Sequence, residues 1–300
     1  MKLPASLISA PPECLRVFVL HWNRPAECVR TVGELGRQGV PVRITVIDNN
    51  SKPENLRALI DGLPASTDVL RLDANLGWGR ALNEALRPWI SEGPEELCAV
   101  CAHDAALEPR CLERVVAALH ADARLGLACP QHGRPEVVEF SATKGVHLRH
   151  VPAGVDGDVV QMPAPHGTLS ILRRRCLQEI GAFDERYFAY GDETEIGIRA
   201  ARAGWRSGMV WGARVSNPGT STPHRLRAYL LARNNILTVH LQFGAGAALG
   251  RAVVTLASCL KPFWWAQRNG LGLVAARARG TMDFFLRRFG QPPSKYFDRR

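Results

Sequence analysis

The chain has 300 residues, 46% apolar and 22% charged, with a formal net charge of +10. Those values suit a globular protein with an ample core and exclude a disordered or fibrous chain. The positive charge is local: residues 1–222 carry 25 Lys/Arg against 26 Asp/Glu, whereas residues 223–300 carry 13 against 2, a surplus of +11. No run of eighteen or more uncharged apolar residues occurs, which argues against a conventional membrane span. The opening segment MKLPASLISAPPEC is broken by Pro4, Pro11 and Pro12 and does not read as a signal peptide. The eight cysteines show no disulfide-like rhythm, and Cys98 and Cys101 fall inside the apolar run LCAVCA, so buried thiols in a reducing cytosol are expected.

Strand-like and helix-like segments then alternate, the pattern of a parallel sheet wrapped by helices. Leu15–Leu20 reads as a first buried strand and Ala26–Gln38 as a helix with Val29, Val32 and Leu35 at helical spacing. Val42–Ile47 and Val69–Leu72 read as strands, with helices at Pro53–Leu63 and Gly79–Ile90. A fourth strand, Leu97–Ala102, ends before His103-Asp104, and a helix follows over Cys111–Asp122. From about Pro130 to Pro165 scattered Gly, Pro and His predict antiparallel strands and loops. A strand and helix resume over Gly167–Ile180, followed by a helix rich in carboxylates. Beyond Pro223, the apolar spacing of Arg225–Leu241 predicts an amphipathic helix, and later segments hold Phe263-Trp264-Trp265 and Met282–Phe289.

In an open parallel sheet, ligands bind beyond the carboxyl ends of the strands. Three such ends here carry short polar side chains: Asn23 in HWNRP, Asp48 in DNNS, and His103-Asp104. A carboxylate at Asp48 suits a ribose or base edge, or else an Asx turn before the second helix. Asn75-Leu-Gly77-Trp-Gly79 opens the third helix with two glycines, a loop that lets backbone approach a diphosphate. Asp104 can ligate a divalent cation through oxygen, or serve as a turn aspartate before Pro109. Asp192, Glu193 and Glu195 gather at a helix mouth behind Phe183, Tyr187, Phe188 and Tyr190. That setting suits a general base that deprotonates a bound hydroxyl, or a capping box over Asp192 and Glu195.

In sequence order, VFVLHWNRP, VIDNNS, NLGWGRALN and GAFDERYFAYGDETEIGIRAARAGW resemble motifs of the family-2 glycosyltransferases, the inverting nucleotide-sugar transferases of GT-A fold, and in particular rhamnosyltransferase-like members. The resemblance spans roughly residues 15–240 and includes Arg233-Asn234. It implies that Asn23, Asp48, Asn75, Gly77, Gly79 and Arg233 bind the nucleotide sugar, with Asp48 on the nucleoside and Arg233 near the diphosphate. Asp104 falls on the metal-coordinating Asp-x-Asp site for Mg2+ or Mn2+, and Asp192 and Glu193 on the paired acids, one of which is the catalytic base. Two positions depart from the family pattern: Ala106 replaces the second Asp-x-Asp carboxylate, and Asn217 stands where a metal-binding His is common. The cation is therefore expected to bind weakly and with help from substrate phosphates, with His103 and His224 the candidate replacements.

The expected architecture is an α/β GT-A domain over residues 1–222 and a basic, aromatic-bearing helical tail over 223–300. The expected activity is transfer of a hexose-type sugar from a nucleotide-diphosphate donor to a glycan or glycolipid acceptor in cell-envelope polysaccharide synthesis. A catalytically silent nucleotide-sugar-binding protein is the alternative, motivated by Ala106. The tail suits contact with anionic lipid on the inner face of the cell membrane, by an otherwise cytoplasmic enzyme. A helical cap with a solvated basic face is the other reading of it. Nucleic acid is not an expected partner, because the charge comes without a binding module.

Overall fold

The structure is a computed structural model that describes residues 14–133, 136–151, 154–217, 222–260 and 270–297. Its first half runs β1 (Leu15–His21), α1 (Pro25–Leu35), β2 (Val42–Asp48), α2 (Pro53–Gly62), β3 (Asp68–Arg71), α3 (Gly79–Glu92) and β4 (Leu97–Ala102). Next come β5 (Ala106–Leu107), α4 (Cys111–Ala121), β6 (Leu125–His132), the hairpin β7 (Glu136–Ser141) and β8 (Gly145–His150), and β9 (Val159–Gln161). The rest is β10 (Leu169–Arg173), α5 (Arg174–Ile180), α6 (Asp192–Arg202), β11 (Arg206–Ser216), α7 (His224–Ser258), α8 (Gly270–Phe285) and a 3₁₀ turn, Ser294–Tyr296.

The central sheet has the order β3-β2-β1-β4-β10-β6-β11-β5, with β9 also on β11. Strands β1 to β4 run parallel, and β10 enters antiparallel between β4 and β6. A strand covered on both faces needs a near-continuous apolar run, and β1 supplies one in Val17–Leu20. Val17 and Val19 face α1, α2 and α4 through Val32, Leu59 and Leu112. Phe18 and Leu20 face α3, α5 and α6 through Leu82, Leu177 and Ile196. Each such side chain, fully buried, contributes about 1.5–3 kcal/mol, so the two layers fix the strand ends where the polar residues sit.

Two buried strands escape the sequence pattern. β6 contains Pro130, and β11 contains Gly208 and Gly212, residues that weaken a strand reading. The pairing accommodates them with a bulge. Register between β11 and β6 slips between Val210 and Arg214, just past the Val210–Pro130 pair, and Gly212 there has φ +77°.

The tail is longer and more integrated than the apolar spacing suggests. Helix α7 runs on past Leu241 to Ser258, losing helical geometry only at Gly244, φ 84°. Its first half, with α8 and the last turn, packs on the loop before α6: Leu226, Tyr229, Leu230, Leu273 and Tyr296 surround Phe188. Ile236, Leu237, Ala248 and Phe284 surround Tyr187, whose hydroxyl bonds Thr238 at 2.7 Å. Buried Asp283 accepts hydrogen bonds from Tyr229 (2.9 Å) and Arg279 (3.0 Å), tying the two helices together. The segment Phe263–Trp265 lies outside the described residues. Among the described residues no helix is long and apolar enough to cross a membrane.

Candidate active site

His21 and Asp48 end β1 and β2 in register, both fully buried. The backbone N–H of Arg24 donates to His21 Nε2 at 3.1 Å, so the ring proton sits on Nδ1 and is donated to Asp48 Oδ1 at 2.9 Å. Asp48 Oδ2 accepts from the Ser51 N–H at 3.2 Å. Burial opposes the charge of Asp48, but the bonds from His21 and Ser51 outweigh it and hold the carboxyl below its ordinary range. Both oxygens are thus engaged, and His21 rather than Asp48 reaches the cavity beyond the strands. The bond to Ser51 makes Asp48 an anchor of the turn that leads from β2 into α2. Asn23, at φ 54°, accepts through Oδ1 from the Lys52 N–H and Asn55, closing the same turn.

The loop before α3 is built around a residue the sequence reading passed over. Buried Asn49 donates to Asn75 Oδ1 (3.0 Å) and to the Gly77 carbonyl (2.9 Å), and accepts from the Leu76 N–H (2.8 Å). Asn75 also accepts from the Gly77 N–H at 3.0 Å. The glycines make room for protein: a Cβ at Gly77, φ +84°, would overlap the Phe188 carbonyl, and one at Gly79 would press on Phe183 and Asp192. The Trp78 N–H donates to that Phe188 carbonyl at 2.6 Å. The loop therefore locks onto the segment leading to the carboxylates.

The three acids of α6 have three different environments. The N-cap is Gly191 with no side-chain cap bond, so the capping-box reading of Asp192 and Glu195 is not what forms. Glu195 is spent on Arg199, 2.6 and 2.8 Å away, which also donates to the carbonyls of Ile180 and Ala182. Asp192 is fully buried, and burial first, then the adjacent Glu193, push its carboxyl well above the usual carboxylate range. It lies outside the cavity lining. Glu193 lines the cavity, facing Gly167, where any Cβ would overlap its Oε1.

That cavity, of about 540 Å³, is of a size for a nucleotide-scale ligand. Trp22, Trp78 and Tyr190 give it aromatic walls, and Glu193 and Asp104 are the carboxylates among its lining residues. His103, beside Asp104, donates from Nδ1 to the Leu20 carbonyl at 3.1 Å, which leaves Nε2 as its lone-pair nitrogen; burial lowers its pKa. His224 is exposed and does not line the cavity. A second pair went unnoticed in the sequence: His132 and His166 stack in the cavity wall, ring centroids 4.1 Å apart. Burial, then His132, takes His166 down to about 4, so it is neutral at pH 7. These histidines come from β6 and the loop before β10, and nothing in their sequence separation announces the pairing.

Among the described residues no three His, Cys, Asp or Glu side chains converge as a complete metal site. One carboxylate with a neighbouring neutral imidazole nonetheless fits a hard cation whose other ligands are phosphates and water. Ala106 sits in β5 against Ser216 of β11, and Asn217 lines the cavity where an imidazole would have stood. Arg233 corrects an expectation. Its guanidinium is wholly buried and donates to Asn234 and to the carbonyls of Arg288 and Gly290, so it pins the tail rather than facing the cavity. Among the described residues the Lys or Arg that lines the cavity is Arg227, one turn into α7.

A sequence profile described as glycosyltransferase like family 2 matches residues 11–234. The N-acetylglucosaminyl-diphospho-decaprenol L-rhamnosyltransferases of two Mycobacterium tuberculosis strains, CDC 1551 / Oshkosh and ATCC 25618 / H37Rv, are 23% identical over 212 residues. Those matches span 58% of this chain and 66% of each relative, just under two thirds. Among solved structures, the Pyrobaculum calidifontis mannosyltransferase PcManGT, in complex with GDP-Man and Mn2+, superimposes with a TM-score of 0.57 at 15% identity, covering 93% of this chain and 89% of that one. GalNAc-T7 with UDP, GalNAc and Mn2+ gives 0.63 at 13% identity, covering 93% and 57%. At such identities the likeness establishes the fold.

Proposed function

The chain belongs to glycosyltransferase-like family 2 and is a glycosyltransferase of GT-A fold; from that premise we propose an inverting transfer from a nucleoside-diphosphate sugar to an acceptor hydroxyl, with Glu193 as the base. The observation that carries the choice is the contrast between the two acids. Asp192 is buried and outside the cavity lining, with its carboxyl pushed upward by that burial, whereas Glu193 lines the cavity. Glu193 takes the acceptor proton as that oxygen bonds to the anomeric carbon, and the bond to the diphosphate breaks on the opposite face. A cation at Asp104, with His103 beside it, would supply charge stabilisation for the departing diphosphate. Asp48, Asn23, Asn49 and Asn75 act through backbone, holding the loops that shape the donor side. A thermal-shift screen of nucleotide sugars, followed by a transfer assay, tests the reading, because a bound donor raises apparent stability. Ala106, in place of a second carboxylate, favours the silent binding protein as second reading; donor binding without transfer or hydrolysis would select it.

With Asp104 as the lone carboxylate offered to a cation, Mn2+ is expected to bind the free protein weakly and to bind appreciably only with a nucleoside diphosphate present. Calorimetry of both states checks this, and Asp104→Asn should remove metal stimulation while the melting temperature holds. Tight binding of Mn2+ to the free protein would mean that further side chains serve as ligands.

The acceptor is proposed to be lipid-linked and part of cell-envelope synthesis, by analogy with the mycobacterial relatives, whose name specifies a diphospho-decaprenol acceptor. Leu249, Val253 and Leu256 form an exposed stripe at helical spacing on the second half of α7, Leu260 is exposed just past its end, and Leu271, Phe285 and Leu286 are exposed on and after α8. An apolar stripe on a basic segment suits the surface of an anionic membrane, which supports a peripheral location on its inner face. Sedimentation with anionic vesicles should fall steeply as salt rises. It should fall again in the variant Leu249→Gln, Val253→Gln, Leu260→Gln. Equal sedimentation of variant and wild type would rule this surface out.

A further inference from the structure

We infer that Arg227, on the tail helix, is the residue that grips an anionic diphosphate in the cavity; the inference rests on the transferase reading above. Three observations converge on it. First, among the described residues Arg227 is the one Lys or Arg lining the cavity, and it lies with Leu231 and Asn235 on the face of α7 turned to that space. Second, no carboxylate among the described residues forms an ion pair with it. Its guanidinium carbon sits 5.9 Å from the ring centre of Tyr190, an arrangement that orients the group without neutralising it. Third, the fold itself gains little from a cation there. His224, Arg225 and Arg227 occupy the first turn of α7, the positive end of the helix dipole, where basic side chains are disfavoured by a few tenths of a kcal/mol or more.

Other arginines of the tail are engaged elsewhere: Arg233 is tied to tail carbonyls, Arg279 and Arg288 to Asp283, and Arg225 lies over Tyr296. Arg227 is left facing a cavity whose two carboxylates would otherwise repel an anion. A guanidinium offers planar, paired donors that match phosphate oxygens, and such charge-assisted bonds are about twice as strong as neutral ones. Two molecules could bring the diphosphate: the nucleotide donor, or an acceptor that itself carries a lipid diphosphate.

The test uses the full chain and the variants Arg227→Gln and Arg227→Lys. Exposed Arg227 is dispensable for folding, so the melting temperature of free Arg227→Gln should equal or slightly exceed that of wild type. If the donor is the source, dissociation constants for UDP, GDP or dTDP, whichever binds wild type, should rise by about tenfold or more in Arg227→Gln. The matching nucleoside should bind unchanged, and Arg227→Lys should recover part of the loss. If the acceptor is the source, nucleoside diphosphate binding stays level. The KM for a prenyl-diphosphate-linked sugar then rises by a similar factor, while that for an acceptor lacking the diphosphate does not. Either pattern upholds the assignment. Unchanged diphosphate affinity together with unchanged acceptor KM overturns it and leaves the transferase reading standing. If no nucleoside diphosphate or nucleotide sugar binds wild type, the transferase reading fails and the assignment fails with it.

Discussion

Glu193→Gln is expected to lower turnover by about two to four orders of magnitude while donor affinity stays near its wild-type value. The amide keeps size and hydrogen bonding but cannot accept the acceptor proton. Asp192→Asn is the decisive companion. Because Asp192 lies outside the cavity, with its carboxyl pushed upward by burial and then by Glu193, an amide in its place changes shape little and leaves the acid facing the cavity untouched, so turnover should stay within about tenfold of wild type. Gly167→Ala approaches Glu193 from the other side. The added methyl overlaps Oε1 and must swing the carboxylate away, so turnover should fall sharply without an increase in donor dissociation constant. Single-turnover kinetics with each variant separates these outcomes. Loss of activity in Asp192→Asn with retention in Glu193→Gln would reverse the assignment.

Asp283→Ala is expected to lower unfolding free energy by about 3 kcal/mol, far more than removal of a surface acid. Its carboxylate is buried, accepts from the Tyr229 hydroxyl and Arg279, and lies 3.8 Å from Arg288. Removing it strands a buried hydroxyl and an arginine pair at the seam between α7 and α8. Asp283→Asn retains an acceptor for Tyr229 and should lose less. Denaturant midpoints at unchanged slope measure both. A loss below about 1 kcal/mol in the alanine variant would mean that the tail adds little to the stability of the catalytic unit. The same seam explains why a chain cut near Phe243 is a poor probe of membrane contact. It would expose Tyr187, Tyr229 and the Arg233 bonds to Arg288 and Gly290 along with removing the stripe.

The parallel half of the sheet was legible because β1, β2 and β4 are rich in apolar and β-branched residues and flanked by amphipathic helices, and their ends carried polar residues found around the cavity. β6 and β11 were hidden by Pro130, Gly208 and Gly212, which a bulge absorbs only once the partner strand is in place. Residue type alone marked Asp104, Asp192 and Glu193 as a chemical group. It could not say which acid is buried, since that depends on how the Gly77 and Gly79 loop presses against Phe183, Phe188 and Asp192. Arg233 and Arg227 differ by six positions on one helix. The family resemblance of the Arg233-Asn234 pair pointed to the first, whereas three-dimensional packing sends Arg233 toward the tail and turns Arg227 to the cavity. His132 and His166 had no sequence signal at all, because a stacked pair between a strand and a distant loop has no fixed spacing.

The most direct test of inverting transfer by Glu193 is the anomeric configuration of the product, read by proton NMR on material made by the full chain from a donor of known configuration. A donor found in the thermal-shift screen, with nucleotide-activated L-rhamnose included, would be paired with a lipid-diphosphate-linked acceptor. The expected product has the opposite configuration to the donor and is not formed by Glu193→Gln on the same timescale. A product of retained configuration, or undiminished transfer by Glu193→Gln, would contradict the mechanism.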